Sequence, residues 1–150
     1  MEAHGKVKLV TAGPDSDIYL GWFTHAAKGR EPAEAGHFLG IHVGGPTRIG
    51  HYFIPVVTTA KGTKGKVDQG PVLAHGKVFD WSLVYDPAAN DGKGSVRVTL
   101  GTESVTLDLK PRQKAEGASL DRFGLFNSTA GGQMVKIYLD DLTYTSRPFR

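Results

Sequence analysis

The chain contains 150 residues, of which 39% are hydrophobic and 22% charged, a composition typical of a soluble globular domain with a core of its own. The absence of cysteine excludes disulfide scaffolds, zinc–thiolate sites, iron–sulfur clusters and cysteine nucleophiles. The formal net charge of +3 is compatible with an anionic partner, and no apolar run is long enough for a membrane-spanning helix.

Short segments rich in β-branched and aromatic residues recur along the chain, separated by turns that contain glycine and proline. This spacing predicts an all-β domain. The predicted strands cover residues 6–11, 18–24, 37–43, 47–58, 78–86, 94–101, 103–109, 120–127 and 134–145. Helix is limited to a short turn within 25–35 or 111–116, and residues 59–77 form a surface loop with an edge strand near Val72. So many strands cannot lie in one flat sheet, which leaves two packed antiparallel sheets or a barrel.

Alternating residues predict which face of each strand is buried. In the segment FDWSLVY, residues 79–85, the four large apolar side chains at odd positions share one face, which we assign to the core. Val96, Val98 and Leu100 likewise share a face opposite to Arg97. The strands 94–101 and 103–109 meet at Gly101-Thr102, which predicts a tight hairpin.

The stretch GHFLGIHVGGPTRIGHYFIPVV, residues 36–57, reads as two strands joined at Gly44-Gly45-Pro46. A three-residue turn would pair Val43 with Thr47. The other pairs across this hairpin are then Gly40 with Gly50, His42 with Arg48 and Phe38 with Tyr52, all on one face. The opposite face belongs to the core and carries Leu39, Ile41, Val43, Ile49 and Phe53, with His51 as its polar exception.

Glycine weakens a strand interior, and Gly21 is as central in its strand as Gly40 and Gly50 are in theirs. If the three strands are neighbours, the missing side chains leave a shallow trough, rimmed by rings that stack on sugars and by donors for hydroxyl or carboxylate groups. The predicted ligand-binding residues are Tyr19, Phe38, Gly40, His42, Arg48, Gly50 and Tyr52. The structural alternative is that these glycines mark bulges, bends of a curved sheet or contacts with a covering segment.

Four segments of the second half follow one another in a suggestive order, namely FDWSLVYDP, GSVRVTLG, ESVTLDL and VKIYLDDLTYT. Their order is a strand containing Trp81, then a hairpin, then a last strand carrying Asp140-Asp141. This order resembles that of the concanavalin A-like lectin and glucanase superfamily, particularly its laminin-G-like members. The resemblance covers residues 78–145 and implies one two-sheet antiparallel β-sandwich of the jelly-roll type over residues 1–150. It also implies a structural Ca²⁺ held by Asp140 or Asp141, the alternative being a solvated acidic pair beside a bulge.

The chain lacks the Glu-x-Asp-x-(x)-Glu run that supplies nucleophile and acid in the glucanases of this superfamily. We therefore predict a non-catalytic, lectin-like module that binds an extracellular or cell-surface glycan. The enzyme alternatives are a glycoside hydrolase, which needs two carboxylates about 5–9 Å apart, and a polysaccharide lyase using His42, Arg48 and Tyr52. A structural or assembly module of a surface protein is a further alternative. Nucleic-acid binding is disfavoured, because lysine and arginine are spread along the chain.

Overall fold

The computed structural model describes residues 1–13, 16–27, 30, 35–45, 48–127 and 135–146. Its strands are β1 (Glu2–Ala12), β2 (Asp17–Phe23), β3 (Phe38–Gly44), β4 (Gly50–Thr58), β5 (Lys64–Lys66), β6 (Val72–Ala74), β7 (Val78–Asp86), β8 (Ser95–Leu100), β9 (Glu103–Asp108), β10 (Arg122–Phe126) and β11 (Val135–Tyr144). A 3₁₀ turn covers His25–Ala27, and a short helix, α1, covers Pro111–Glu116, as predicted for 111–116. No helix among these residues is long and apolar enough to cross a membrane.

The strands form two antiparallel sheets. Sheet A has the order β11-β1-β7-β8-β9, and sheet B has the order β10-β2-β3-β4-β5, with β6 also paired to β4. Hydrophobic side chains of both sheets fill the space between them, including Leu20 and Ile41 of sheet B and Trp81, Leu83 and Val98 of sheet A. This arrangement confirms the predicted all-β, two-sheet antiparallel sandwich.

The alternation of residues predicts the buried faces correctly. Trp81, Leu83 and Tyr85 are buried between the sheets, as are the apolar residues at even positions of β8. Gly101-Thr102 joins β8 to β9 as the predicted two-residue hairpin. Gly101 has a φ of 58°, a conformation that glycine adopts without strain.

Some strands differ from the prediction in extent. β1 begins at Glu2 rather than at Lys6, because β7 offers it a partner along the added residues. β5 lies within the segment predicted as a loop, whereas β6 confirms the edge strand expected near Val72. Two predicted strands begin at Thr47 and Met134, which lie outside the described residues, as does most of 25–35.

The predicted register of the β3–β4 pair is wrong. Gly40 lies opposite Val56, six positions further along β4 than its predicted partner Gly50. Gly50 pairs instead with Ala74 of β6. Because the shift is even, the residues of both strands keep the faces predicted for them. Ile49 is different, since it precedes β4 and is 62% exposed rather than buried in the core.

Candidate functional site

The face of sheet B that points away from sheet A carries most of the residues predicted to bind a ligand. Along each strand these residues alternate with residues of the core, and we call this surface the outer face. It consists of Asp17, Tyr19, Gly21 and Phe23 of β2, Phe38, Gly40, His42 and Gly44 of β3, Tyr52, Ile54, Val56 and Thr58 of β4, Lys64 and Lys66 of β5, and Arg122, Gly124 and Phe126 of β10.

Tyr19 and Phe38 belong to a closed aromatic cluster on the outer face. Their exposed fractions are only 1% and 0%. The ring of Phe126 stacks on Tyr19 with centroids 5.4 Å apart and meets Phe38 edge-on at 5.5 Å. Val56 packs against the same cluster. Because neither ring presents a face to solvent, Tyr19 and Phe38 do not form the sugar-stacking surface expected from the sequence.

The strand glycines are in contact with the backbones of neighbouring strands. Gly21 and Gly40 lie opposite each other, and a Cβ added to Gly40 would be 2.8 Å from Gly21 Cα. The same Cβ would be 2.7 Å from the Phe38 ring, which therefore occupies the space above Gly40. At Gly50 an added Cβ would be 2.9 Å from Ala74 Cα. These contacts explain the glycines by close packing, and the predicted trough is filled.

The outer face becomes polar where β3 ends at Gly44. Because Gly44 has no side chain, the His42 imidazole lies over it, and an added Cβ would be 2.5 Å from His42 Nε2. In this position Nε2 lies 3.3 Å from Asp17 Oδ2, and the ring stacks on Tyr19 with centroids 4.7 Å apart. Tyr52 lies directly across from Gly44 on β4, so its half-buried side chain borders the same position. We call Asp17, His42, Gly44 and Tyr52 the polar end.

The Asp17 and His42 side chains are partly withdrawn from solvent, with 31% and 23% of their surface exposed. The hydrogen bond from His42 lowers the pKa of Asp17, against an opposing effect of burial, and the electrostatic attraction of His42 lowers it further. The carboxylate is therefore ionised at neutral pH and fixes the orientation of the imidazole. A histidine held in this way can bind a hydroxyl group, attract an anion or exchange a proton.

The other predicted ligand residues lie near the polar end but not within it. Arg48 is exposed in the connection that leaves β3 after Gly44. Gly50 is buried against β6 and offers no surface to a ligand. Of the predicted residues, the structure thus brings together His42 and Tyr52, with Arg48 on the adjoining loop.

Basic side chains outnumber acidic ones on the outer face. Lys64 and Lys66 extend from β5 and Arg122 from β10, whereas Asp17 is the sole acidic residue among the strand residues that define this face. The sequence prediction assigns both lysines to a loop and omits Asp17, which immediately precedes the predicted strand 18–24. The alternation Lys64-Gly65-Lys66 is the signal that could have placed the two lysines on one face.

His51 is the polar residue that alternation predicts on the core face, and it is 2% exposed. Its Nε2 lies 3.0 Å from Ser16 Oγ, and the Ser16 hydroxyl donates to the carbonyl of Gly13 at 2.6 Å. Nδ1 of His51 has no hydrogen-bond partner in the described part of the chain. This histidine therefore belongs to the core beneath the polar end rather than to the polar end itself.

Asp140 and Asp141 form an exposed acidic pair beside a bulge of β11. The pairing of β11 with β1 shifts between His4 and Lys6, and Asp141 has a φ of 52°. The Asp141 amide donates a hydrogen bond to Asp140 Oδ1 at 2.9 Å. Over the described ranges, no group of three or more His, Cys, Asp or Glu residues is placed to hold a metal. A Ca²⁺ bound partly by backbone carbonyl groups stays a prediction.

No protein-family model and no curated protein matches this chain. Among solved structures it is similar to an alginate lyase from Pseudomonas aeruginosa, with a TM-score of 0.59 and 9% sequence identity over 97% of this chain. This chain spans 64% of the length of that protein. At this identity the likeness shows the fold alone, which is a two-sheet β-sandwich of the jelly-roll type.

Proposed function

We propose that this chain binds carbohydrate at the polar end of the outer face. The observation that carries the proposal is the convergence of Asp17, His42 and Tyr52 around Gly44. A carboxylate, an imidazole and a phenol together offer donors and acceptors of hydrogen bonds, which the hydroxyl groups of a sugar require. The likeness in fold to an alginate lyase supports a polysaccharide as the ligand.

The charge of the outer face favours an anionic polysaccharide. Lys64, Lys66 and Arg122 lie on this face, and Arg48 lies on the loop beside the polar end. Arg122 lies opposite Phe23 and Lys64 lies opposite Thr58, towards the far end of the strands from the polar end. A polymer that runs along the strands from the polar end would therefore meet these cations, and such an arrangement attracts anionic ligands. We also propose that the chain lies outside the cell or on its surface. We further propose that residues 1–150 form one domain and that this domain belongs to the concanavalin A-like superfamily.

The test is equilibrium binding of a soluble polyuronate and of a neutral polysaccharide, measured by calorimetry. We expect micromolar-to-millimolar affinity for the polyuronate, and a loss of about tenfold or more, about 1.4 kcal/mol, in His42→Ala and in Tyr52→Ala. His4→Ala and Tyr138→Ala are matched controls, because both side chains are exposed on sheet A. Unchanged affinity in both polar-end variants, or no binding of either polysaccharide by the wild type, would overturn the proposal.

A polysaccharide lyase is the second candidate, favoured by the position of His42 beside Tyr52 at the polar end and by the likeness in fold to an alginate lyase. In a uronate polymer a base removes the proton next to the carboxyl group, the bond from the β-carbon to the glycosidic oxygen breaks, and an acid protonates that oxygen. His42 and Tyr52 would serve as the base and the acid, and Arg48 would neutralise the carboxylate. A new unsaturated-bond absorbance that disappears in His42→Ala would establish this candidate.

Glycoside hydrolysis and assembly have less support. A two-carboxylate hydrolase needs a partner for Asp17 about 5–9 Å away, and the strand residues that define the outer face include no second acid. An assembly module of a surface protein predicts self-association without any ligand, which sedimentation would detect.

A further inference from the structure

A cavity of ≈ 240 Å³ lies at the other end of the sandwich, beneath α1. Its walls are largely apolar, with Leu39 and Val57 from sheet B, Tyr85 from sheet A, and Leu109 and Leu120 from the segments that flank α1. Four of these five side chains are buried residues of the main hydrophobic core. The cavity is therefore continuous with the core, and it opens to solvent at its rim, where the exposed residues Pro87 and Lys114 line it.

Polar contacts fasten α1 to both sheets and hold it above the cavity. On the side of sheet B, Thr59 Oγ1 donates to Glu116 Oε2 at 2.5 Å. On the side of sheet A, Lys114 Nζ donates to the carbonyl of Pro87 at 2.8 Å. Because Thr59 follows β4 and Pro87 follows β7, the residues 111–118, which we call the strap, are anchored on two sides. The strap cannot fall into the cavity without breaking these bonds, so the space stays open.

The polar groups around the cavity are already engaged. Lys114 and Thr59 are occupied by the contacts just described, and Gln113 Oε1 accepts a hydrogen bond from the Lys110 amide at 2.8 Å. Burial raises the pKa of Tyr85, so its phenol is neutral at physiological pH. The ammonium group of Lys114, which lines the cavity, is thus held by a backbone carbonyl, and the largely apolar walls suit an uncharged ligand.

We propose that this cavity is a binding site for a small, uncharged, apolar molecule with one or two aromatic rings. Close packing is the rule for apolar side chains, so a largely apolar cavity of ≈ 240 Å³ that is continuous with the core leaves room for an apolar ligand, and its open rim gives the ligand a way in. Apolar cavities of about 150 Å³ stay dry and bind benzene, and a larger one has room for a two-ring molecule such as indole. The site lies at the opposite end of sheet B from the polar end and goes beyond carbohydrate binding.

The test uses benzene and indole as probes on the full chain, with binding measured from methyl chemical shifts and from the melting temperature. Ala118 lines the cavity, so Ala118→Phe places a ring inside it. Ala115 is exposed on the strap, and Ala115→Phe adds the same ring outside the cavity as a matched control. Ala118→Leu, a smaller substitution, takes the place of Ala118→Phe if the latter does not melt cooperatively.

We expect saturable shifts of the Leu39 and Val57 methyl groups in the wild type and in Ala115→Phe. The affinity should fall at least tenfold in the Ala118 variant, which should also melt at a higher temperature because it fills the void. No saturation up to the solubility limit of both probes in the wild type would overturn the proposal. Equal affinity in the Ala115 and Ala118 variants would overturn it as well, since the probes would then bind elsewhere.

Discussion

Gly21 of β2 and Gly124 of β10 lie opposite each other with φ angles of 158° and 159°, yet a side chain would collide only at Gly21. A Cβ added to Gly21 would be 2.5 Å from Gly40 Cα, on the neighbouring strand β3. At Gly124, on the edge strand, the same atom would meet nothing within 4 Å. This pair of positions therefore separates the effect of crowding a neighbouring strand from the effect of the backbone conformation.

Gly21→Ala should lower the free energy of unfolding by about 1–3 kcal/mol more than Gly124→Ala. Any backbone penalty is common to the two variants, because their φ angles are the same, and so the difference reports the contact with β3. Urea unfolding followed by tryptophan fluorescence measures both values. Equal losses would mean that the close approach of β2 and β3 is not what requires glycine at this position.

The edges of the two sheets meet at Phe123 of β10 and Tyr144 of β11, whose rings stack with centroids 4.3 Å apart and planes 10° apart. A double-mutant cycle with Phe123→Ala and Tyr144→Ala should give a coupling energy of about 0.5–1.5 kcal/mol. Tyr138, on the same strand, is 54% exposed, and its substitution by alanine should be additive with Phe123→Ala. A coupling indistinguishable from that control would show that the stacked rings do not join the sheets.

Hydrogen bonds from Thr59, Thr63 and Arg112 lower the pKa of Glu116 from 4.5 to about 2. Because the pKa is lower in the folded chain, ionised Glu116 stabilises the fold above pH 4.5, and this stabilisation is lost as the pH falls towards about 2. Glu116→Gln should thus be less stable than the wild type at neutral pH, and the difference should shrink on acidification. Urea unfolding at several pH values measures it.

Urea unfolding of Thr59→Val at the same pH values tests whether the hydrogen bond from Thr59 to Glu116 causes this pH dependence. Removing the hydroxyl group that donates to Glu116 should move the pH window in which stability is lost upwards, towards the ordinary range of a glutamate. A wild-type advantage over Glu116→Gln that is as large at pH 2 as at pH 7 would contradict the assignment.

Binding of an anionic polysaccharide should depend on Lys64 and Lys66. The double substitution by alanine is expected to weaken binding several-fold and to flatten its dependence on ionic strength, because exposed charges act through screened Coulomb attraction. The double substitution Lys8→Ala and Lys136→Ala removes the same charge from sheet A and is the control. An equal loss of affinity in both double variants would show that net charge, and not the outer face, determines binding.

Strand faces could be predicted from the sequence, but strand partners could not. The predicted and observed partners of Gly40, which are Gly50 and Val56, differ by an even number of positions, so both registers fit the alternation of apolar residues. The observed partner of Gly50 is Ala74, which follows a segment rich in glycine and lysine that is typical of a loop. Nothing in the local pattern around either residue indicates that pairing.

In the candidate site, too, the faces of the strands could be predicted from the sequence, whereas the packing of the side chains could not. His42 and Tyr52 share a face, as predicted, because that depends only on their positions along two strands. The burial of Tyr19 and Phe38 depends on Phe126, whose strand joins sheet B from the far end of the chain. Alternation cannot show which rings a distant strand will cover, so aromatic residues suited to stacking on sugars proved to be packed against one another.

The central position of β1 in sheet A determines when the sandwich can close. β1 lies between β11 and β7, with Ala3 opposite Tyr144 on one side and Leu83 on the other. On the ribosome β1 is made before either partner, whereas β2 to β6 can pair soon after they emerge, since contacts close in sequence form fastest. The strands β2 to β6 of sheet B can therefore pair first, and their apolar side remains uncovered until β7, β8 and β9 have been made and have joined β1 in sheet A.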